Sequence, residues 1–362
     1  PNTYYVGEEI HYIVTVENPA ANPATNILTR VWDTLPNGTE VELITEDLVQ
    51  PPGVSNSFDV YYTVDAADLI VIPGGVNEGR VGVRNVFQVL GYDTLNDDVQ
   101  ALVTRYSIVI DPIIEIEKLV DCNGDGEYSE EETVRGPSDD ADWWVRVTNT
   151  GDCPVYNIVV ADSNGHDFGV PFNLLNNGDY VDFYYTTTIE ETTTNVVEAV
   201  GEDELAGTVG PVVADATNRI INPEISIVKL VDCDGDGEYS EEETVRGPSD
   251  DADWWVRVTN TGDCPVYNIV VTDSNGHDFG APFDLMNNAD FADFYYTTTI
   301  DETTTNIVEA MGEDELGLTV GPVIADATNR IINPDICIEK TVDFNGDGIF
   351  GDSEKYYTGS TA

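Results

Sequence analysis

Apolar and polar residues alternate along most of the chain. In Ile114-Glu115-Ile116-Glu117-Lys118-Leu119-Val120 one set of alternate positions holds Ile, Ile, Lys and Val, the other Glu, Glu and Leu. A two-residue period places successive side chains on opposite faces of an extended strand. Strand-like runs of β-branched and aromatic residues follow at Tyr12–Glu17, Trp143–Thr148, Asn157–Val160, Asp179–Ile189 and Asn195–Val200. Turn sequences such as Asn149-Thr150-Gly151-Asp152 and Asn176-Asn177-Gly178-Asp179 separate them, as expected for strands rather than helices. No stretch predicts a helix of ordinary length. The expectation is an all-β protein built of β-sandwiches with Greek-key connections.

The pattern repeats. Pro112-Ile113-Ile114-Glu115-Ile116-Glu117-Lys118 returns as Pro223-Glu224-Ile225-Ser226-Ile227-Val228-Lys229 and as Pro334-Asp335-Ile336-Cys337-Ile338-Glu339-Lys340, at a spacing of 111 residues. This predicts complete modules at 112–222 and 223–333, and the first strand and loop of a further module at 334–362. Residues 1–111 match from the second strand onward: Val16-Glu17-Asn18 against Val147-Thr148-Asn149, Phe58 to Thr63 against Val181 to Thr186, and Asn85 to Gly91 against Asn195 to Gly201. They read as a module lacking its first strand. Two arrangements are consistent with this. The chain is one unit of a longer tandem array, or separate units join head to tail, the 334–362 segment of one completing the first module of the next.

Charge narrows the function classes. The chain carries 69 acidic and 14 basic residues, a formal charge of −55, yet 41% of it is hydrophobic. Such a surface repels nucleic acid and anionic membranes and attracts cations, while the apolar content supports packed cores. There is no apolar run long enough for a membrane span. No secretion leader or initiator Met is present, and the chain reads as a mature or excised segment.

Residues Tyr5 to Asn18, Pro23-Ala24-Thr25-Asn26, Asp33-Thr34-Leu35-Pro36 and Thr148-Asn149-Thr150-Gly151 resemble the conserved-repeat domain known as domain of unknown function 11. The Leu-Pro step is replaced by Asp162-Ser163-Asn164-Gly165 in the second module. The resemblance implies immunoglobulin-like sandwiches in tandem and a place on large prokaryotic or archaeal surface proteins.

Three segments fit the EF-hand loop spacing throughout. They are Asp121, Asn123, Asp125, Glu127 and Glu132; Asp232, Asp234, Asp236, Glu238 and Glu243; and Asp343, Asn345, Asp347, Ile349 and Glu354. Side-chain oxygens at positions 1, 3, 5 and 12 and the carbonyl at 7 form an all-oxygen cage, closed by the sharp turn that Gly at position 6 allows. Such a donor set selects calcium. The flanks are strands, so the loops would stiffen modules rather than open a helix pair. Asp162-Ser163-Asn164-Gly165-His166-Asp167 and its copy from Asp273 form a weaker cation candidate.

Alternation places Lys118, Lys229 and Lys340 on the apolar side of their strands. A buried ammonium needs a carboxylate or must lose its charge. Either an ion pair or a Lys–Asn isopeptide bond would satisfy it, with candidate sets Lys118, Asn195 and Asp162; Lys229, Asn306 and Asp273; and Lys340, Asn85 and Asp33. Cys122 with Cys153 and Cys233 with Cys264 read as intramodule disulfides of an oxidising exterior, and Cys337 as an outward-facing thiol. Asn37-Gly38-Thr39 is a glycosylation sequon. No nucleophile–base signature or phosphate loop is evident. The expected role is a structural, calcium-stiffened filament, stalk or surface-layer component that is not an enzyme and partners with itself, with no nucleic acid and no membrane insertion. The competing expectation is an adhesin, for which Trp143 or Trp144 would be exposed contacts.

Overall fold

The computed structural model describes residues 3–136, 138–247, 249–343 and 346–352. Asn345 and Glu354 of the third loop lie outside the described residues. The protein is all-β. Among the described residues the one helical element is a single 3-10 turn, Ala66–Asp68, and no helix is long and apolar enough to cross a membrane.

The first sandwich comprises β1 (Thr3–Tyr5), β2 (Glu9–Glu17), β3 (Asn26–Thr34), β4 (Glu40–Glu42), β5 (Leu48–Gln50), β6 (Ser55–Thr63), β7 (Ile70–Val71), β8 (Val81–Asp93) and β9 (Asp98–Ile110). The second comprises β10 (Ile114–Asp121), β11 (Glu131–Arg135), β12 (Ser138–Asn149), β13 (Val155–Asp162), β14 (Phe172–Leu174), β15 (Tyr180–Ile189), β16 (Thr193–Asp203) and β17 (Thr208–Ile221). The third repeats it with β18 (Ile225–Asp232), β19 (Glu242–Arg246), β20 (Ser249–Asn260), β21 (Val266–Asp273), β22 (Phe283–Leu285), β23 (Phe291–Ile300), β24 (Thr304–Glu313) and β25 (Thr319–Ile332).

In the second sandwich a three-stranded sheet, β10-β12-β15, faces a five-stranded sheet, β11-β17-β16-β13-β14. The alternating residues of β12 supply the middle of the core: Trp143, Val145 and Val147 are fully buried against Val155, Ile158 and Val197. The third sandwich has the same layers, β18-β20-β23 over β19-β25-β24-β21-β22. The first differs where it matters. Its smaller sheet holds two strands, β2 and β6, opposite a sheet with the path β1-β9-β8-β3-β4.

Two buried asparagines fix the equivalence of the modules. Asn149 donates its side-chain N–H groups to the carbonyls of Cys153 and Leu174, and Asn18 donates to those of Ala24 and Gln50. With Asn18 on Asn149, Val14 takes the place of Val145. Their cross-strand partners are Phe58 and Phe183. The sequence match of Phe58 to Val181 is therefore two residues out, and Val60, not Tyr62, occupies the place of Tyr185.

Residues 1–220 form one compact unit and residues 221–362 another. Within the first, the sandwiches are docked: Tyr5 donates to Asp203 Oδ2 at 2.6 Å and Arg80 pairs with Glu204 at 2.6 Å. The chain passes closely there, and a Cβ on Gly151 would lie 2.4 Å from the Ile113 nitrogen, so the turn requires glycine.

The disulfide assignments are corrected. Cys122, Cys153, Cys233 and Cys264 are buried thiols. Cys122 follows the last residue of β10, whereas Cys153 lies beside the first, next to Asn149, the partner of Ile114. Eight strand residues span about 26 Å, and a bridge needs Cα atoms within about 7 Å. Cys153 packs with Ile72, Ile108 and Ile110 of the first sandwich, and Cys122 joins the core of the second. The same strand separates Cys233 from Cys264. Alkylation of the chain denatured without reductant is expected to label all five cysteines. Protection of two or four would contradict this.

Candidate functional site

β10 and β18 each end in a site with two halves. Lys118 points inward as the alternation requires and is 1% exposed, as is Lys229. The ammonium of Lys118 donates to the Tyr185 hydroxyl at 2.5 Å, and that hydroxyl donates to Asp162 Oδ2 at 2.6 Å. Asn195 donates to the same hydroxyl at 3.0 Å and is itself oriented by Ser163 at 3.1 Å. Lys118 Nζ lies 3.6 Å from Asp162 Oδ2 and 4.7 Å from the Trp143 ring centre. In the third sandwich Lys229 donates to Tyr296 and, at 3.3 Å, to Asp273 Oδ2. Asn306 donates to both Asp273 and Tyr296 at 3.0 Å. Lysine, carboxylate and amide thus meet as the sequence predicts, but through a phenol that the sequence reading missed. Its signal was the repeated Tyr-Tyr pair, Tyr184-Tyr185 and Tyr295-Tyr296, which must send one ring out and one in.

The electrostatics follow from burial. Desolvation pushes Lys118 and Lys229 from 10.5 down to about 8, against the pull of Asp162 and Asp273. Burial also opposes the charge on Asp162, but the hydrogen bonds from Tyr185 and Asn164 and the nearby ammonium outweigh it and hold the carboxyl below its usual range. Burial and the neighbouring carboxylate raise Tyr185. Asp162 thus faces the lysine, and His166 stacks on Tyr185 at 3.8 Å. The Asp162–Asp167 segment is used as a turn that closes this network, with Asp162 Oδ1 accepting from the Asn164 N–H and Asp167 from that of Gly169.

The first sandwich has the same carboxylate without a cation. Asp33 is 0% exposed and accepts from Asn85 at 2.6 Å, while its Oδ1 has no partner. Burial raises this carboxyl above its usual range, and the Asn85 hydrogen bond only partly offsets that. Lys340 lies on an exposed segment, 333–340, that has no regular structure.

The second half of the site is the acidic loop. Asp121 receives the N–H groups of Gly124 and Gly126 at 2.7 and 2.9 Å, and Asp125 receives that of Glu127. Gly126 and Gly237 hold φ of +86° and +87°, the left-handed turn that position 6 demands. Backbone pairing of Val120 with Ser129, and of Val231 with Ser240, closes each loop. Carboxylate oxygens of Asp232, Asp234, Asp236 and Glu243 lie within 4.8 Å of one another, as do those of Asp121, Asp125 and Glu132. Asn123 lies in the same loop, its Oδ1 accepting from the Asp125 N–H. Asp343 repeats the pattern with Gly346 and Gly348, and Asp347 with Ile349. An all-oxygen set converging on one point fits a hard divalent cation such as calcium. Trp143 is fully buried and donates to Thr187, so it offers no contact surface. Trp144 faces outward beside Arg146 and donates to Asp182.

No family model matches the chain, and no curated protein matches it. Solved structures with related backbones include a 1.5-MDa bacterial ice-binding adhesin (TM-score 0.31, 12% identity, 92% of this chain and 95% of that one). Others are the C-terminal domain of Streptococcus agalactiae BspA (0.26, 10%, 59% and 99%) and tandem repeats from the extending region of a large adhesion protein (0.24, 15%, 90% and 75%).

The lysine network has a pH signature. A lysine whose pKa falls on folding releases its proton earlier in the folded state, so stability rises with pH between the folded and unfolded values. Melting temperature is expected to rise from about pH 8 toward 10, until ionisation of unfolded tyrosine begins to favour the unfolded chain. It is expected to fall below about pH 4 as Asp162 and Asp273 are protonated. Tyr185→Phe, which strands the ammonium, should cost about 1–3 kcal/mol in chemical denaturation. A neutral result would show that the phenol is not a required link.

Proposed function

We propose that the chain is a structural repeat segment of an extracellular or surface protein, stiffened by calcium, whose units join head to tail into a filament, stalk or layer. The observation that carries this reading is the recurrence, at one end of the second and third modules, of a buried lysine network and an acidic loop on the same strand. Calcium bound there would neutralise a cluster of carboxylates and tie the end of β10 or β18 to the strand that follows the loop. Asp121, Asn123, Asp125 and Glu132, with the Glu127 carbonyl, would hold it in the second module. Asp232, Asp234, Asp236 and Glu243, with the Glu238 carbonyl, would do so in the third. The role is mechanical, and no catalytic step is assigned to any residue. The net charge of −55 keeps neighbouring units apart and makes divalent cations effective partners.

Joining is by chain continuity or by strand donation, and the two-stranded sheet of the first sandwich supports the second. The lysine network reads as a hydrogen-bonded ion pair. A Lys118–Asn195 or Lys229–Asn306 amide would replace it with loss of one ammonia per module, which intact mass reports directly. An adhesive role is the second reading, favoured by the outward row Tyr180 and Tyr184 and its copy Phe291 and Tyr295, all more than half exposed.

Calorimetry tests the calcium reading. Saturating calcium is expected to raise the melting temperature of the chelated chain, by an amount that grows with free calcium as RT ln(1 + [L]/Kd), about 2.7 kcal/mol at a hundredfold excess over Kd. Glu132→Gln with Glu243→Gln should remove most of the effect. An identical melting curve with and without calcium would end the reading.

A further inference from the structure

Among the described residues, β2 pairs only with β6, so one edge of its N–H and C=O groups has no strand partner. Between that edge and β9 runs a groove of about 220 Å³, lined by Val14 and Val16 on one side, Phe87 and Val89 at its floor, and Ala101 and Val103 on the other. Val145 and Val147, the counterparts of Val14 and Val16, are 0% exposed under β10, whereas Val14 and Val16 are only partly buried. Asp33, paired across β3 and β8 with Phe87 of the groove, is buried and has one oxygen unpartnered. A buried carboxylate without a cation is costly.

Residues 336–343 carry what is missing. Ile336-Cys337-Ile338-Glu339-Lys340-Thr341-Val342-Asp343 repeats the alternation of Ile114 to Asp121, yet Ile336 and Ile338 are 82% and 83% exposed. β10 sets the register on β12: Ile114 opposite Asn149, Ile116 opposite Val147, Lys118 opposite Val145 and Val120 opposite Trp143. Transferred through Asn18 and Val14, this is a complete address.

We propose that the β2 edge groove is the receiving site for residues 336–343 of a second copy of the chain, added antiparallel with Ile336 opposite Asn18, Ile338 opposite Val16, Lys340 opposite Val14 and Val342 opposite Tyr12, so that the Lys340 ammonium meets the Asp33 carboxylate. The inference rests on the head-to-tail reading and supplies its register. Because the period of a strand is two, a slip of one residue would turn both isoleucines and the lysine outward. The ion pair therefore acts as a key, giving specificity as buried polar groups do elsewhere. Val60 stands in the place of Tyr185, so the lysine needs no phenol between it and the acid. The strand supplies affinity through backbone hydrogen bonds, the isoleucines and the lysine supply selectivity.

The same register puts Cys337 opposite Glu17, as Glu115 faces Thr148. The test is air oxidation of the full chain carrying Glu17→Cys, compared with Thr15→Cys, both at exposed positions of β2, alongside sedimentation of the unmodified chain over a range of concentrations. Expected are concentration-dependent multimers for the unmodified chain and a reducible ladder of linked chains for Glu17→Cys, with far less for Thr15→Cys. Asp33→Asn and Lys340→Gln should each weaken association by roughly 30-fold or more. Asp33→Asn should at the same time leave the unassembled chain at least as stable to heat, since it removes a buried charge. A chain that stays monomeric at every concentration overturns the head-to-tail reading and this site with it. Multimers that form while Glu17→Cys links no better than Thr15→Cys overturn the register alone, as do multimers indifferent to Asp33→Asn and Lys340→Gln.

Discussion

The ammonium buried near the end of β10 and of β18 is the constraint around which the second and third modules are arranged. A lysine at 1% exposure is tolerable only where a carboxylate and neutral hydrogen-bond partners replace its water. In the second and third sandwiches that replacement draws on four strands. The lysine comes from β10 or β18, the phenol from β15 or β23, the acid from the end of β13 or β21, and the amide from β16 or β24. Both sheets are thereby tied together through one hydroxyl. A hydrophobic residue in the lysine's place would pack, but it would not distinguish one register of the strand from another.

The calcium-type loop begins three residues after the lysine, on the same strand. Asp121 belongs to β10, and its carboxylate organises the turn through the N–H groups of Gly124 and Gly126. Glu132 reaches back to the Cys122 N–H. Strand, charge key and acidic loop are consecutive in sequence, so whatever brings this strand to a sandwich brings all three. The first sandwich holds a buried acid with no cation among its described partners and a two-stranded smaller sheet, while Ile336, Ile338 and Val342 of the last segment face solvent.

Much of this was legible in the sequence. The period of two gave the strands and faces, including the inward lysines Lys118 and Lys229, though not Lys340, whose segment is exposed and forms no strand. The 111-residue repeat gave the modules, and the fixed spacing of acids and glycine gave the loops, because local geometry alone places those oxygens. What the tertiary structure decided is contact between segments far apart in the chain. Cys122 and Cys153 look like partners by count and compartment, but a whole strand length separates them. Trp143 and Trp144 are neighbours in sequence, yet Trp143 is fully buried and bonded to Thr187 whereas Trp144 is half-buried on the other face beside Arg146. Tyr185 became the centre of the lysine network, and Val60 took its place in the first sandwich, because cross-strand register, which sequence similarity misread by two residues, decides which side chains meet. Alternation fixes the face a residue takes. Only the pairing of strands fixes what it faces.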